Sequence, residues 1–171
     1  MEIQSDRLEI IACDQIMIDL VLSNRQKLAE KLQVAIPHHW PVSPEALPVF
    51  NELLQADESL VGWLNYFAIH RKDRVMIGDC GFLGKPDDNQ TVEIGYSVLP
   101  EYRQKGYATE MTRALVEWAF STGKVRRVIA HTLMDNEPSL GVLKKLNFIL
   151  VEENIETDEG LKCRWGINKT S

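Results

Sequence analysis

The chain has 171 residues, 44% hydrophobic and 26% charged, with a formal charge of −6 at pH 7. That length is enough for one core burying roughly 70% of the unfolded surface, and the composition excludes disorder as the main state. The acidic balance excludes a general nucleic-acid or anionic-membrane binder, which needs a basic footprint.

Cys13, Cys80 and Cys163 stand singly, away from any metal-ligand spacing, so no metal is expected and a reduced, cytoplasmic setting is. The opening Met1 to Asp6 lacks the basic start and apolar stretch of a signal peptide, and no apolar run is long enough to span a bilayer.

Arg7 to Ala12 alternates and predicts a first strand. Asp14 can cap a helix containing Ile16, Leu20 and Val21, and Leu28 with Leu32 continues a helical stripe after Asn24. Pro37 and Pro41 break it, and Ser43-Pro44 restarts a helix with Leu47, Phe50 and Leu54 on its apolar face. Three β-rich runs follow, Val61 to Ile69, Arg74 to Leu83 and Gln90 to Leu99. Turn chemistry at Arg71-Lys72-Asp73 and Pro86-Asp87-Asp88-Asn89 separates them, so they predict an antiparallel meander.

After Gly106 the period becomes helical, through Ala108, Met111, Leu115, Trp118 and Ala119, and ends near Gly123. Arg127 to Thr132 returns to strand. Asn136 and Pro138 open a second short helix carrying Leu140, Leu143 and Leu146. Phe148 to Glu156 and Leu161 to Ile167 close the chain as two strands around Thr157 to Gly160. The pattern is one α+β domain over 1–171, a central mixed sheet with helices packed on it.

The join at Pro100 to Lys105, between a strand ending at Leu99 and a helix starting near Gly106, is the most specific feature. A strand running into a helix through a glycine leaves several N–H groups unpaired and parallel, at the positive end of the helix dipole. Such a site takes anions, and Arg103 and Lys105 bring mobile positive charge to it. It lacks the Gly-Lys-Ser/Thr of a nucleotide-hydrolysing loop and the three glycines of a dinucleotide fingerprint. Alone, the hexapeptide is better explained as a routine helix start with two solvated cations, since short glycine motifs recur by chance.

Its surroundings narrow it. Val92 to Glu110 resembles the acyl-coenzyme A motif of the GNAT superfamily of N-acetyltransferases. The match continues through Thr132, Asn136-Glu137-Pro138-Ser139 and Lys145-Leu146-Asn147-Phe148. Asn-x-x-Ser, the Lys-Leu-x-Phe ending and Asp6-Arg7-Leu8 are similar to the branch of Rim-type ribosomal-protein N-terminal acetyltransferases.

The resemblance implies a single-domain GNAT-like fold whose mostly antiparallel sheet splays between its fourth and fifth strands, with pantetheine in the gap. It implies acetyl-CoA as co-substrate and no metal. Arg103, Gln104, Lys105, Gly106, Tyr107, Ala108 and Thr109 would hold the diphosphate, and Val98 and Asn136 would touch the pantetheine arm. Asn147 stands where the family usually has glycine; asparagine tolerates a left-handed backbone, so the turn should survive.

Direct attack of an amine on a thioester needs the amine neutral, so a base is expected. Deprotonation at pH 7 costs about 1.4 kcal/mol for an α-amine and about 4.6 for a lysine. Glu93 is the leading candidate: alternation sets it opposite Val92 and Ile94, a few residues before the splay. The plain alternative is a polar residue of a half-exposed strand.

Many family members protonate the leaving thiolate with a tyrosine where this chain has Leu143. Ser139, carried by Rim-like members at the matching place, is the substitute, although a serine in a first helical turn is more often a cap. His131 reads as structural. In the loop 34–49, Trp40 is the candidate for the acceptor pocket.

The acceptor implied is a primary amine, either a peptide N-terminus or a small molecule such as an amino acid, polyamine or drug, served by a monomer or homodimer. A non-catalytic acyl-CoA-binding module is the third reading.

Overall fold

The computed structural model describes residues 1–170. Among these, eight strands form one open sheet, β1 (Glu2–Gln4), β2 (Leu8–Ala12), β3 (Asn65–His70), β4 (Val75–Phe82), β5 (Thr91–Val98), β6 (Arg127–Leu133), β7 (Ile149–Thr157) and β8 (Gly160–Asn168), in the order β1-β2-β3-β4-β5-β6-β8-β7. Helices α1 (Gln15–Ser23), α2 (Arg25–Leu32) and α3 (Leu47–Ala56) belong to one core and α4 (Tyr107–Ser121) with α5 (Glu137–Lys145) to the other.

The predicted caps form. Asp14 accepts from the Met17 N–H, Asn24 from Lys27 and Asn136 from Ser139. Ser43 makes no such bond, because a 3-10 turn over Pro44–Ala46 precedes α3. The first meander run is shorter than alternation predicts: a 3-10 turn at Glu58–Leu60 carries the chain into β3 only at Asn65. β1 was not predicted; three residues are too few to show a period, and pairing with β2 is what extends them. Asn147 takes the left-handed backbone expected of it, with φ 61°.

The sheet carries one core on each side. Leu8, Ile10, Val92, Ile94, Met111, Leu115 and Leu143 share the first with Trp165. Ile18, Leu28, Leu47, Leu54, Phe67 and Ile69 make the second.

Between β5 and β6 the sheet forks. The two strands are parallel and pair only at Thr91↔Arg127, Val92↔Val128 and Glu93↔Ile129. This is the splay expected between the fourth and fifth strands, renumbered by the extra strand at the front edge. On its other side β5 stays paired with β4 from Ile94 to Val98.

The chain entry at Arg7 is tied to the start of α4. Glu110, in the first turn of that helix, accepts from Ser5 Oγ (2.7 Å), Arg7 N–H (2.8 Å) and Arg7 Nε (2.7 Å). The Arg7 guanidinium also donates to the Lys105 carbonyl at 3.0 Å and lies 4.3 Å over the Tyr107 ring. Burial pushes the Glu110 carboxyl up, but the Arg7 and Ser5 bonds outweigh it and hold it below its usual value.

A carboxyl lowered on folding contributes stability above its unfolded pKa and loses it as pH falls through the folded one. Hydrogen bonds to charged groups are worth about 1.5–3 kcal/mol. Glu110→Gln should therefore lower Tm at pH 7 by about 3–10 °C, with the deficit shrinking below pH 4 in a pH series of thermal melts.

Candidate active site

The anion turn follows from three backbone conformations. Gln104 is left-handed at φ 59°, Gly106 at φ 84°, and α4 begins at Tyr107 with no side-chain cap. Glycine suits position 106 by its positive φ, and a Cβ there would press on the Arg7 guanidinium at 3.3 Å. Among the described residues no acceptor bonds the N–H groups of residues 104–109; the first closing bond is Glu110 N–H to the Gly106 carbonyl at 3.0 Å. Six donors are thus left without a partner in the turn at the positive end of a 15-residue helix.

The two cations are less mobile than expected. Arg103 Nε donates to the Val98 carbonyl at 2.9 Å, and Lys105 Nζ to the Glu101 carbonyl at 2.8 Å. Carbonyls left over where the strand turns into the helix attract them, so both brace the loop as well as charging it.

Beside the turn lies the open fork. The Leu83 N–H bonds the Glu93 carbonyl and the Leu99 N–H the Ile77 carbonyl, so odd residues of β5 direct their backbone groups to β4. The backbone groups of Ile94, Tyr96 and Val98 then point the other way, where no strand pairs. An unpaired strand edge accepts an extended chain of amides. Asn136, exposed and using its side chain as the α5 cap, stands across the gap after β6.

Two polar pairs span the fork. At its closed end His131 Nδ1 donates to Glu93 Oε1 at 2.8 Å, both side chains between a quarter and a third exposed. At its open end the Tyr96 hydroxyl meets Ser139 Oγ at 3.0 Å, with the Ser139 carbonyl at 3.3 Å. Burial raises the Tyr96 phenol above its usual value, against the pull of Ser139. Leu143 is fully buried behind them.

The other face of β4 and β5 floors a cavity of about 250 Å³, walled by Pro41, Ser43, Leu47, Phe50, Leu64 and Phe82. Asp79 is among its lining residues, pairing in register with Ser97, whose hydroxyl donates to Asp79 Oδ1 at 3.0 Å. Burial pushes the Asp79 carboxyl up to about 6.

Trp40, expected in this pocket, is not on its wall. It is 1% exposed in the second core, its indole N–H on the Gly78 carbonyl at 3.3 Å and its ring edge-on to Phe67 at 5.0 Å. A large ring is worth more buried than lining a wet groove, and its neighbours Pro41 and Ser43 take the lining position.

Sequence reasoning missed Asp79, Tyr96 and His131 as site residues. An acidic residue amid the apolar run Ile77 to Phe82 was a visible signal for Asp79. The His131 to Glu93 contact needs the parallel register, which no local pattern supplies.

The chain matches the model of the acetyltransferase (GNAT) domain over residues 21–149. It is 31% identical over 156 residues to the uncharacterized N-acetyltransferase YjdG of Bacillus subtilis, covering 90% of this chain and 93% of that protein. Its fold is similar to that of the Salmonella typhimurium acetyl transferase that modifies the N-terminal serine of ribosomal protein L7/L12 (TM-score 0.71, 18% identity, 99% of this chain and 100% of that one). It is also similar to RimL, a ribosomal L7/L12 alpha-N-protein acetyltransferase solved in complex with coenzyme A (TM-score 0.70, 21% identity, 98% of each chain). The chain belongs to the GNAT acetyltransferase family and is an acetyl-CoA-dependent N-acetyltransferase.

Proposed function

We propose that this chain, as one acetyltransferase domain in the cytoplasm, acetylates the α-amine of a protein N-terminus, with Glu93 and His131 as its base. The observation that carries the proposal is the fork: six free N–H groups on one side, the Glu93–His131 pair at its closed end, and an unpaired strand edge between them.

In this reading the N–H groups of residues 104–109 take the diphosphate of acetyl-CoA, with Arg103 and Lys105 adding charge. The backbones of Ile94 and Tyr96 and the N–H of Val98, whose carbonyl Arg103 holds, take the amides of pantetheine, and Asn136 closes the arm from across the gap. This aims the thioester along the fork. The amine nitrogen attacks the thioester carbonyl, the carbon–nitrogen bond forms, and the carbon–sulfur bond breaks to release a thiolate.

Glu93, directly or through water, takes the amine's proton. His131 fixes the carboxylate by bonding one oxygen and leaving the other as acceptor. The Tyr96–Ser139 pair supplies the thiolate's proton, replacing the family tyrosine missing at Leu143. The phenol is protonated at neutral pH, as a proton donor must be, and its bond to Ser139 holds it in place.

The N-terminal α-amine is favoured over lysine by about 3 kcal/mol in deprotonation cost, and the fold likeness to RimL and the Salmonella enzyme supports the same class. The cavity beside β4, about 250 Å³, also fits a small amine, which makes that the second reading.

Turnover of acetyl-CoA should be fastest with ribosomal-protein N-terminal peptides in a panel that includes diamines and free amino acids. Turnover on small amines alone would overturn the acceptor assignment, and tight acetyl-CoA binding without turnover on any amine would leave a binding module. Glu93→Gln should lower kcat at least about 100-fold while acetyl-CoA affinity is unchanged; full activity would remove Glu93 as the base. If Tyr96 and Ser139 act as one donor, the Tyr96→Phe/Ser139→Ala double variant should lose about as much kcat as the worse single variant, rather than the product of both losses.

A further inference from the structure

The face of the sheet that carries Glu93 continues past it into a second cavity, of about 1000 Å³. Glu93 pairs in register with Ile129, and β8 sets Asn168 beside Arg127, Gly166 beside Ile129 and Arg164 beside His131. Partners in register share a face of the sheet, so Glu93, Arg127, Ile129, His131 and Arg164 lie on one side. Among the described residues, the second core, closed by α1–α3, takes nothing from β5 to β8, which leaves this side uncovered. β6 accordingly alternates half-exposed and buried along its whole length.

Arg126, Arg127, Arg164 and Lys169 line this cavity against one carboxylate, Asp87, in a chain whose overall charge is −6. Asp87 is committed to the turn before β5, its Oδ1 accepting from the Asn89 N–H at 2.9 Å and the Thr91 N–H at 2.8 Å. Arg164 is paired with Glu152, and Lys169 Nζ donates to the Phe120 carbonyl at 2.7 Å. The side chains of Arg126 and Arg127 have no hydrogen-bond or ion-pair partner among the described residues. Like charges gathered in this way repel, and a bound anion offsets the repulsion.

Arg127 is built into place. Its guanidinium lies over Gly166, where a Cβ would come within 3.1 Å of Nη2 and 3.2 Å of Nε. Nε is closed off against the sheet, whereas neither Nη atom is buried without a partner, so both stay open to solvent. The backbone of Arg126 is fixed from two sides, its N–H on the Gln90 carbonyl and its carbonyl under the Lys169 N–H, each at 2.8 Å. Ile129, another lining residue, stands between Arg127 and the Glu93–His131 pair.

We propose that this cavity is the second anchor of the acceptor: the side-chain carboxylate of the peptide's second or third residue binds the Nη atoms of Arg127, with Arg126 adding charge, while the α-amine stands at Glu93. This rests on the reading of the fork as a protein N-terminal acetyltransferase and deepens it by naming the acceptor as an acidic N-terminus. Arg127 and Glu93 are separated by one strand spacing of about 4.8 Å across the sheet and two residues of about 3.3 Å each along it, roughly 8 Å between Cα positions. An extended peptide advances about 3.3 Å per residue, so an acidic side chain one or two residues after the amine reaches the cavity. Amine and carboxylate belong to different residues, and each is held in the state it needs. The amine gives up its proton at Glu93, and the carboxylate keeps its charge against a guanidinium, whose fork matches it.

Ser-Glu-Glu-Ala amide and its near-isostere Ser-Gln-Gln-Ala amide test the proposal, by acceptor KM and, independently of turnover, by calorimetric binding to the full chain saturated with coenzyme A. The wild type should favour the acidic peptide at least about tenfold by both measures, the contribution of one charge-assisted hydrogen bond. That preference should weaken as sodium chloride is raised. It should fall to within about twofold in Arg127→Gln, and the Arg126→Glu/Arg127→Glu double variant should favour Ser-Lys-Lys-Ala amide instead. Because Arg127 packs on Gly166, the exposed Arg126→Glu serves as a second variant and should lower the preference at least about threefold.

Equal affinity of the wild type for the acidic and neutral peptides would overturn the proposal, as would a preference that survives both Arg127→Gln and Arg126→Glu. Free glutamate turned over faster than either peptide would overturn the peptide assignment. Turnover of both peptides with equal KM would sink this inference alone. Preferential binding of the acidic peptide without turnover of any peptide would leave the cavity standing and remove the protein N-terminus as the acetylated group.

Discussion

The parting of β5 from β6 after Glu93 is the constraint on which the rest of the site depends. Paired parallel strands satisfy one another's backbone groups, and a sheet that separates in its middle leaves a row of N–H and C=O groups with no partner. The molecule keeps that edge open by holding both banks independently. On one side β4 pairs with β5 from Ile94 to Val98. On the other β8 pairs with β6 along its whole length, from Arg127↔Asn168 to Leu133↔Lys162. Each strand is thus held from its far side, so the fork stays open although the gap-facing backbone groups of Ile94, Tyr96 and Val98 lack a strand partner.

The fork in turn depends on how the helix after it is seated. α4 must present its N-terminus at the open end of β5, and helices start with donors that nothing in the helix can satisfy. Arg7 and Glu110 fix that end without occupying the donors: the guanidinium takes the Lys105 carbonyl, the carboxylate takes the Arg7 and Ser5 donors, and the Tyr107 hydroxyl meets His70 Nε2 at 3.1 Å. The side chains of the turn are thus spent on carbonyls and on the chain entry, and its N–H groups remain free. The short Asp6-Arg7-Leu8 segment, which resembles the Rim-type branch in sequence, has this physical use.

The elements were legible where a residue type has one local use. Asp14, Asn24 and Asn136 read as caps and are caps, and Asn147 was expected to turn left-handed and does. The order of strands and helices followed from period and punctuation. What local pattern could not supply was registration between distant segments. His131 looked structural because nothing near it in sequence explains it; only the pairing Glu93↔Ile129 brings the next residue on that face of β6 to the Glu93 carboxylate. Trp40 was misplaced for the opposite reason: a tryptophan in a loop suggests a pocket, but the loop folds its ring inward and turns Pro41 and Ser43 to the cavity.

Asp79 shows why the missed residues collect at the site. A sequence that specified only the fold would put an apolar residue at that position, since its strand neighbours Ile77 and Cys80 are buried and burial works against a charge there. Local rules of stability therefore predict the wrong residue type, and the departure is itself informative. The same logic applies to Gly95, which adds neither strand propensity nor packing and faces open space. Asp79, opposite Ser97, and Gly95, opposite Gly81, are thus two departures from what a sheet favours within one short stretch of the β4–β5 pair that lines the cavity, the pattern expected where residues serve a site rather than the fold.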